Sequence, residues 1–177
     1  MHDRPHLVLI GPMGAGKTTL GRLLAQQMQR PFVDLDTVIV QAAGVTIQLL
    51  FQREGEQGFR KRERAALADV LAGPPAVIAT GGGVVLDPDN RHALRRHGYV
   101  VYLRVSLATQ LHRLHGDTSR PLLDTPDPAA RLAALQAQRE RLYLETADLV
   151  FDADAGSPEA LAAALAARLN PTGTCYA

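Results

Sequence analysis

An apolar run, His6-Leu7-Val8-Leu9-Ile10, stops at Gly11-Pro12, and a helical stripe of Leu20, Leu23, Leu24 and Met28 opens at Thr18 and ends before Pro31. A buried strand followed at once by an amphipathic helix constrains this chain more than any other feature. The residues joining the two are Gly11-Pro12-Met13-Gly14-Ala15-Gly16-Lys17-Thr18. They carry two glycines separated by four residues, then lysine and a hydroxyl residue, which is the phosphate-loop pattern. Each part has a physical reason. The glycines permit turns in which successive N–H groups point inward at an anion, and the helix N-terminus adds partial positive charge. Lys17 is placed to reach β- and γ-phosphate oxygens of ATP, and the Thr18 hydroxyl to ligate Mg²⁺. The plain alternative is a glycine-rich turn from strand to helix. It leaves the lysine unexplained, and the chain has only one other, Lys61, among 19 basic residues.

Further along, Pro31-Phe32-Val33-Asp34 reads as a second strand, Ala76 to Thr80 as a third, Tyr99 to Val105 as a fourth and Leu149-Val150-Phe151 as a fifth. Helical stretches fill Thr37 to Gly73, with breaks at Gly44 and near Gly55 and Gly58, and Thr46 as a cap. Asp87-Pro88 opens a helix that Gly98 closes, and Ser106 caps the next. Ala129 to Ala147 is a long helix, and Pro158 to Leu169 the last. Strands alternating with helices predict an α/β fold: a three-layer α/β/α arrangement around a five-stranded parallel sheet. The stretch His115 to Asp127 breaks the periodicity with Gly116, Pro121, Pro126 and Pro128, and reads as a flexible lid spanning about 114–127. A single domain over 1–170 is expected, with a disordered tail at 171–177.

Composition narrows the function. A net charge of +1, with no block of like charge, argues against nucleic acid or a membrane as partner. No apolar stretch reaches membrane length, and the one cysteine, Cys175, leaves no internal disulfide to form. A cytoplasmic monomer acting on a small molecule is the expectation. No Asn-Lys-x-Asp guanine-reading motif is present, and 177 residues are too few for a helicase. A small-molecule kinase fits the size. Such an enzyme needs a second pocket beside the γ-phosphate, a carboxylate facing the acceptor hydroxyl, and exclusion of water. Asp34-Leu35-Asp36, at the C-terminal end of the second strand, supplies two carboxylates on the rim where parallel sheets bind ligands. Asp36 read alone is better explained as a cap for the helix at Thr37, and it is the pair of carboxylates after a phosphate-loop helix that favours the site.

Gly11 to Thr18, Asp34-Leu35-Asp36, Phe59-Arg60, Gly81-Gly82-Gly83, Arg120-Pro121-Leu122-Leu123 and Arg139-Glu140-Arg141-Leu142-Tyr143 stand in the order and spacing of the shikimate kinases, which the chain resembles over nearly its whole length. The resemblance implies Mg²⁺-dependent transfer of the ATP γ-phosphoryl group to the 3-hydroxyl of shikimate, in aromatic amino-acid biosynthesis. It places the phosphates on Gly14, Ala15, Gly16, Lys17, Thr18 and Thr19, adenine against Arg113, and the metal at Thr18 with Asp34 behind it. Shikimate falls to Asp36, Arg60, Gly82 and Arg139, with a substrate-binding region at about 34–62. Two arginines suit the shikimate carboxylate, because a planar guanidinium meets it in bidentate geometry. Lys17, Asp36 and the lid residue Arg120 are the implied catalytic groups. Two departures stand out: Arg141 replaces a proline common in relatives, and no arginine occurs near Ala155 to cover adenine. A kinase of another small acid, such as gluconate, and a catalytically silent nucleotide-binding module are the rivals.

Overall fold

The computed structural model describes residues 4–114 and 126–169. Its elements run β1 (His6–Ile10), α1 (Lys17–Gln27), β2 (Phe32–Asp34), α2 (Leu35–Ala43), α3 (Ile47–Leu71), β3 (Val77–Ala79), α4 (Pro88–His97), β4 (Gly98–Arg104), α5 (Leu107–Leu114), α6 (Pro128–Thr146), β5 (Leu149–Asp152) and α7 (Pro158–Leu169), with one 3₁₀ turn at Val84–Leu86. The five strands form one wholly parallel sheet in the order β2-β3-β1-β4-β5.

Both faces of the sheet are dry, as a parallel sheet between helices requires. On β1, Val8 and Ile10 face one core with Ile78, Val100 and Tyr102, beside residues of α2, α3 and α6. Leu7 and Leu9 face the other with Val77, Val101 and Leu103, against Leu20 and Leu24 of α1 and Leu165 of α7. The period-2 alternation is therefore apolar on both sides, and three layers result.

Side-chain caps fix where the helices start. Thr46 Oγ1 accepts from Leu49 N at 3.3 Å, and Ser106 Oγ from Thr109 N at 3.2 Å, as expected for both residues. Asp87 and Asp127 cap α4 and α6 in the same way. The expected breaks at Gly44 and Gly55 occur: Gly44 ends α2 at φ 67°, and Gly55 kinks α3 at φ 68°. Gly58 is different, since α3 passes through it without interruption. Gly98 closes α4 as expected, its N–H donating to Leu94 O. It is extended, opens β4, and lies so close to Val8 that a Cβ there would sit 2.5 Å from its Cγ2. Among the described residues, no single helix is long and apolar enough to cross a membrane.

Candidate active site

The loop after β1 leaves the sheet at its C-terminal edge, between β3 and β4. Gly11, Gly14 and Gly16 adopt φ of 140°, 76° and 86°, so all three sit in conformations that side chains resist. This geometry starts α1 at Lys17. The Lys17 ammonium is nearly buried and turns back into the loop, donating to Gly11 O at 2.8 Å and Pro12 O at 2.7 Å. Thr18 Oγ1 donates to Asp34 Oδ2 at 2.8 Å. The other Asp34 oxygen, Oδ1, accepts from Asp36 N at 3.1 Å and Thr37 N at 3.4 Å. Asp34 thus caps α2 and fixes the Thr18 hydroxyl together. The capping role weighed for Asp36 belongs to Asp34, and Asp36 stands within the first turn of α2.

A cavity of about 590 Å³ opens beyond this loop. Gly14, Gly16, Lys17, Thr18, Thr19, Asp34 and Arg113 line one end, while Asp36, Arg60, Gly82 and Arg139 line the rest. All are residues singled out from the sequence, drawn from α1, β2, α2, α3, α5, α6 and two loops. Ala15 is the exception. Its methyl is buried in the core, and its N–H donates to Pro12 O at 3.3 Å. Arg120 and most of the expected lid, like the tail at 171–177, lie outside the described residues.

The second half of α3 brings Arg60 to the cavity. Its Nη1 donates to Glu63 Oε2 at 2.6 Å and its Nη2 to Glu56 Oε1 at 3.1 Å, with the guanidinium 5.3 Å from the Phe59 ring centroid. Burial opposes the Arg60 charge, but Glu63 and Glu56 more than reverse it and raise its pKa. Glu63 is fully buried, and burial pushes its carboxyl above the ordinary glutamate range. The Arg60 cation pulls it back, while Asp36 adds to the upward push. Glu63 is not among the site residues singled out from the sequence. In the fold it lines the cavity itself, and Ile47, Phe51 and Phe59 add an apolar wall beside it. Phe51 and Phe59 sit 4.7 Å apart between ring centroids. Ile47 and Phe51 are four apart at a helix start, a spacing indistinguishable from an ordinary core stripe.

The glycine run Gly81-Gly82-Gly83 makes room for the protein's own side chains. A Cβ on Gly81 would stand 3.0 Å from Asp36 Oδ1 and 3.0 Å from Glu63 Oε1, and one on Gly83 would enter the Arg60 guanidinium. Only glycine lets these charged groups close on the backbone. Gly82 faces the phosphate loop and Arg139. Arg139 is 4% exposed, while the neighbouring Arg141 side chain is 87% exposed and pairs with Glu145 at 2.6 Å. Arg139 is therefore the arginine of this pair that reaches the cavity. Arg113 donates to Gly14 O at 3.1 Å, and to Ala153 O at 2.8 Å and Asp154 O at 3.3 Å, which ties the phosphate loop to the turn after β5.

A phosphate loop on the first strand of a 2-3-1-4-5 parallel sheet, opening onto a pocket of carboxylates and guanidiniums, defines a phosphate-loop kinase. Residues 13–170 match the family model for shikimate kinase, and the chain belongs to that family. A shikimate kinase of Stenotrophomonas maltophilia (strain R551-3) is 55% identical over 154 residues, covering 87% of this chain and 86% of its own. One from Pseudomonas syringae pv. syringae (strain B728a) is 48% identical over 164 residues, covering 93% and 95%. Among solved structures, the Acinetobacter baumannii shikimate kinase in complex with shikimate has a TM-score of 0.93 at 39% identity, over 96% of this chain and 95% of that one.

Proposed function

We propose that this chain transfers the γ-phosphoryl group of ATP to the 3-hydroxyl of shikimate, giving shikimate 3-phosphate and ADP. The reaction serves aromatic amino-acid biosynthesis in the cytoplasm, and the enzyme acts as a monomer without nucleic acid or membrane partners. One observation carries this reading. Arg60 and Arg139 line the same cavity as Lys17 and Thr18, so an anchor for a carboxylate lies beside a donor-phosphate cradle.

At the donor end, Lys17 exchanges the Gly11 and Pro12 carbonyls for β- and γ-phosphate oxygens, a modest rearrangement for a flexible ammonium. The backbone of Gly14 to Lys17, with Thr18 and Thr19, cradles the remaining oxygens. Arg113, which already braces the Gly14 carbonyl, stacks on adenine. The Thr18 hydroxyl and Asp34 carboxylate are hard oxygen donors 2.8 Å apart, a pair that suits Mg²⁺ when phosphate and water oxygens complete the shell. Thr18 would hold the ion, with Asp34 supporting it. When bound there, Mg²⁺ neutralises charge on the transferred phosphate.

At the acceptor end, Arg60 and Arg139 take the shikimate carboxylate, and Asp36 and Gly82 take its ring hydroxyls. Asp36 orients the 3-hydroxyl and receives its proton as the new O–P bond forms and the bond to ADP breaks. A loose transition state asks for little proton removal beforehand. A coupled ADP-release assay with shikimate, with gluconate and without an acceptor tests this function. Turnover with shikimate alone is expected, and equal rates in all three would overturn it.

A further inference from the structure

The backbone from Gly81 to Leu86 is pinned at every carbonyl. Gly81 O accepts from Val84 N at 3.2 Å and Gly83 O from Leu86 N at 3.0 Å, within the 3₁₀ turn. The others are held by side chains. Val84 O accepts from the buried amide of Asn90 at 3.1 Å, and Val85 O and Leu86 O accept from Arg91 at 2.7 and 3.3 Å. The Gly82 carbonyl accepts from the Tyr143 hydroxyl. Asn90 and Arg91 belong to α4. Tyr143 belongs to α6, one turn beyond Arg139. Within this set, its hydroxyl alone joins the glycine segment to the helix that carries a predicted carboxylate anchor.

We infer that Tyr143 is a positioning residue of the acceptor pocket: its hydroxyl holds the Gly82 backbone in register with Arg139. This role depends on the kinase function proposed above. Several features make the strut stiff. Tyr143 is 0% exposed, and its ring stacks on Tyr102 with centroids 4.9 Å apart and planes 23° from parallel. Tyr102, on β4, also donates to Glu140 at 2.6 Å, a separate bond that ties α6 to the sheet without touching the Gly82 carbonyl. Burial above all pushes the Tyr143 hydroxyl up to about 12, so it remains a protonated donor throughout the working pH range. Arg139 opposes that shift in part, which places its charge beside the same hydroxyl. Gly82 and Arg139 both line the cavity, so a loosened strut would let the two halves of the pocket drift apart. Misplacement by a fraction of an ångström is enough to weaken a bidentate grip.

Tyr143→Phe keeps the ring stack and removes the bond. The expected result is a KM for shikimate raised by about tenfold, with KM for ATP within about twofold of wild type. Tyr102→Phe serves as the comparison, because it breaks the Glu140 bond but leaves the strut. It should lower Tm while leaving KM for shikimate within about twofold. An unmoved shikimate KM in Tyr143→Phe, or equal rises in both variants or for both substrates, would overturn the role. If Tyr143→Phe does not fold, NMR hydrogen exchange of the Tyr143 hydroxyl in the wild type decides. Slower exchange with shikimate bound supports the strut, and exchange indifferent to shikimate refutes it. Wild-type enzyme that fails to phosphorylate shikimate would remove both function and role, whereas wild-type turnover with an unmoved variant KM removes the role alone.

Discussion

The two ends of the crevice are built on opposite plans. The donor end is mainly one strand, one loop and one helix start, contiguous from His6 to Thr19 and joined by Asp34 and Arg113, and its geometry is mostly backbone. The acceptor end gathers Asp36 from α2, Arg60 and Glu63 from α3, the glycines after β3 and Arg139 from α6. Its geometry is mostly side chain, held by buried ion pairs and by contacts between residues far apart in the chain. The lesson is a division of labour. A contiguous backbone cradle is suited to a ligand shared by many enzymes, and a pocket assembled from distant elements is suited to selecting one acceptor. Damage at the donor end should therefore stop chemistry, whereas damage at the acceptor end should separate the two substrates.

The largest effect belongs to Lys17. Replacing it with alanine removes the cation that the proposed function sets against the transferred phosphate, and kcat should fall by about a thousandfold or more. Retention of more than about a tenth of wild-type turnover would mean that the backbone cradle alone suffices. Next comes Arg139→Ala. Loss of a buried charged anchor should raise KM for shikimate by about a hundredfold while KM for ATP stays within about threefold. If both KM values rise together in steady-state titrations, the two ends are not independent and the comparison fails.

The same contrast explains what could be read from the residues beforehand. Strand, glycines, lysine and helix follow one another in the phosphate loop, so local pattern and final geometry coincide there. The caps at Thr46 and Ser106 are legible for the same reason, since a cap is a local device. At the acceptor end, Arg60, Gly82 and Arg139 emerge only through family resemblance, because nothing local distinguishes Arg139 from a solvated helix arginine. The Tyr143 bond to Gly82 spans 61 residues of sequence, and no periodicity reports it. Gly58 misleads by propensity, whereas Gly98 ends α4 as read and has a further reason to be glycine. Gly58 leaves room for Glu54 beside a helix already kinked at Gly55, and Gly98 leaves room for Val8. The reason they share is close packing.

A smaller, pH-dependent effect sharpens the electrostatic side of the acceptor end. Burial is the main influence on Glu63, and it lifts the carboxyl above its ordinary value of 4.5. The folded chain then binds this proton more tightly than the unfolded chain. Its stabilising contribution is complete below pH 4.5 and declines as pH rises through the raised value. Glu63→Gln mimics the protonated form and removes the titration. Thermal unfolding should show wild type losing stability relative to the variant as pH climbs above 4.5, then running parallel to it. Curves parallel from about pH 4 to about pH 8 would show that the Arg60 pairing cancels the burial.

The smallest expected effect falls on Arg141, and its smallness is informative. Arg139 and Arg141 are two residues apart on α6, which turns their side chains about 200° from one another. One is 4% exposed and lines the cavity, and the other has an 87% exposed side chain paired with Glu145 four residues on. An exposed pair of this kind contributes little to stability, and its charge is screened from the cavity by solvent. Arg141→Ala should therefore leave KM for shikimate within about twofold, at low and at moderate salt alike. A larger rise that disappears with added salt would assign Arg141 a long-range part in drawing in the anionic substrate. The acceptor end would then extend beyond its buried side chains onto the outer face of α6.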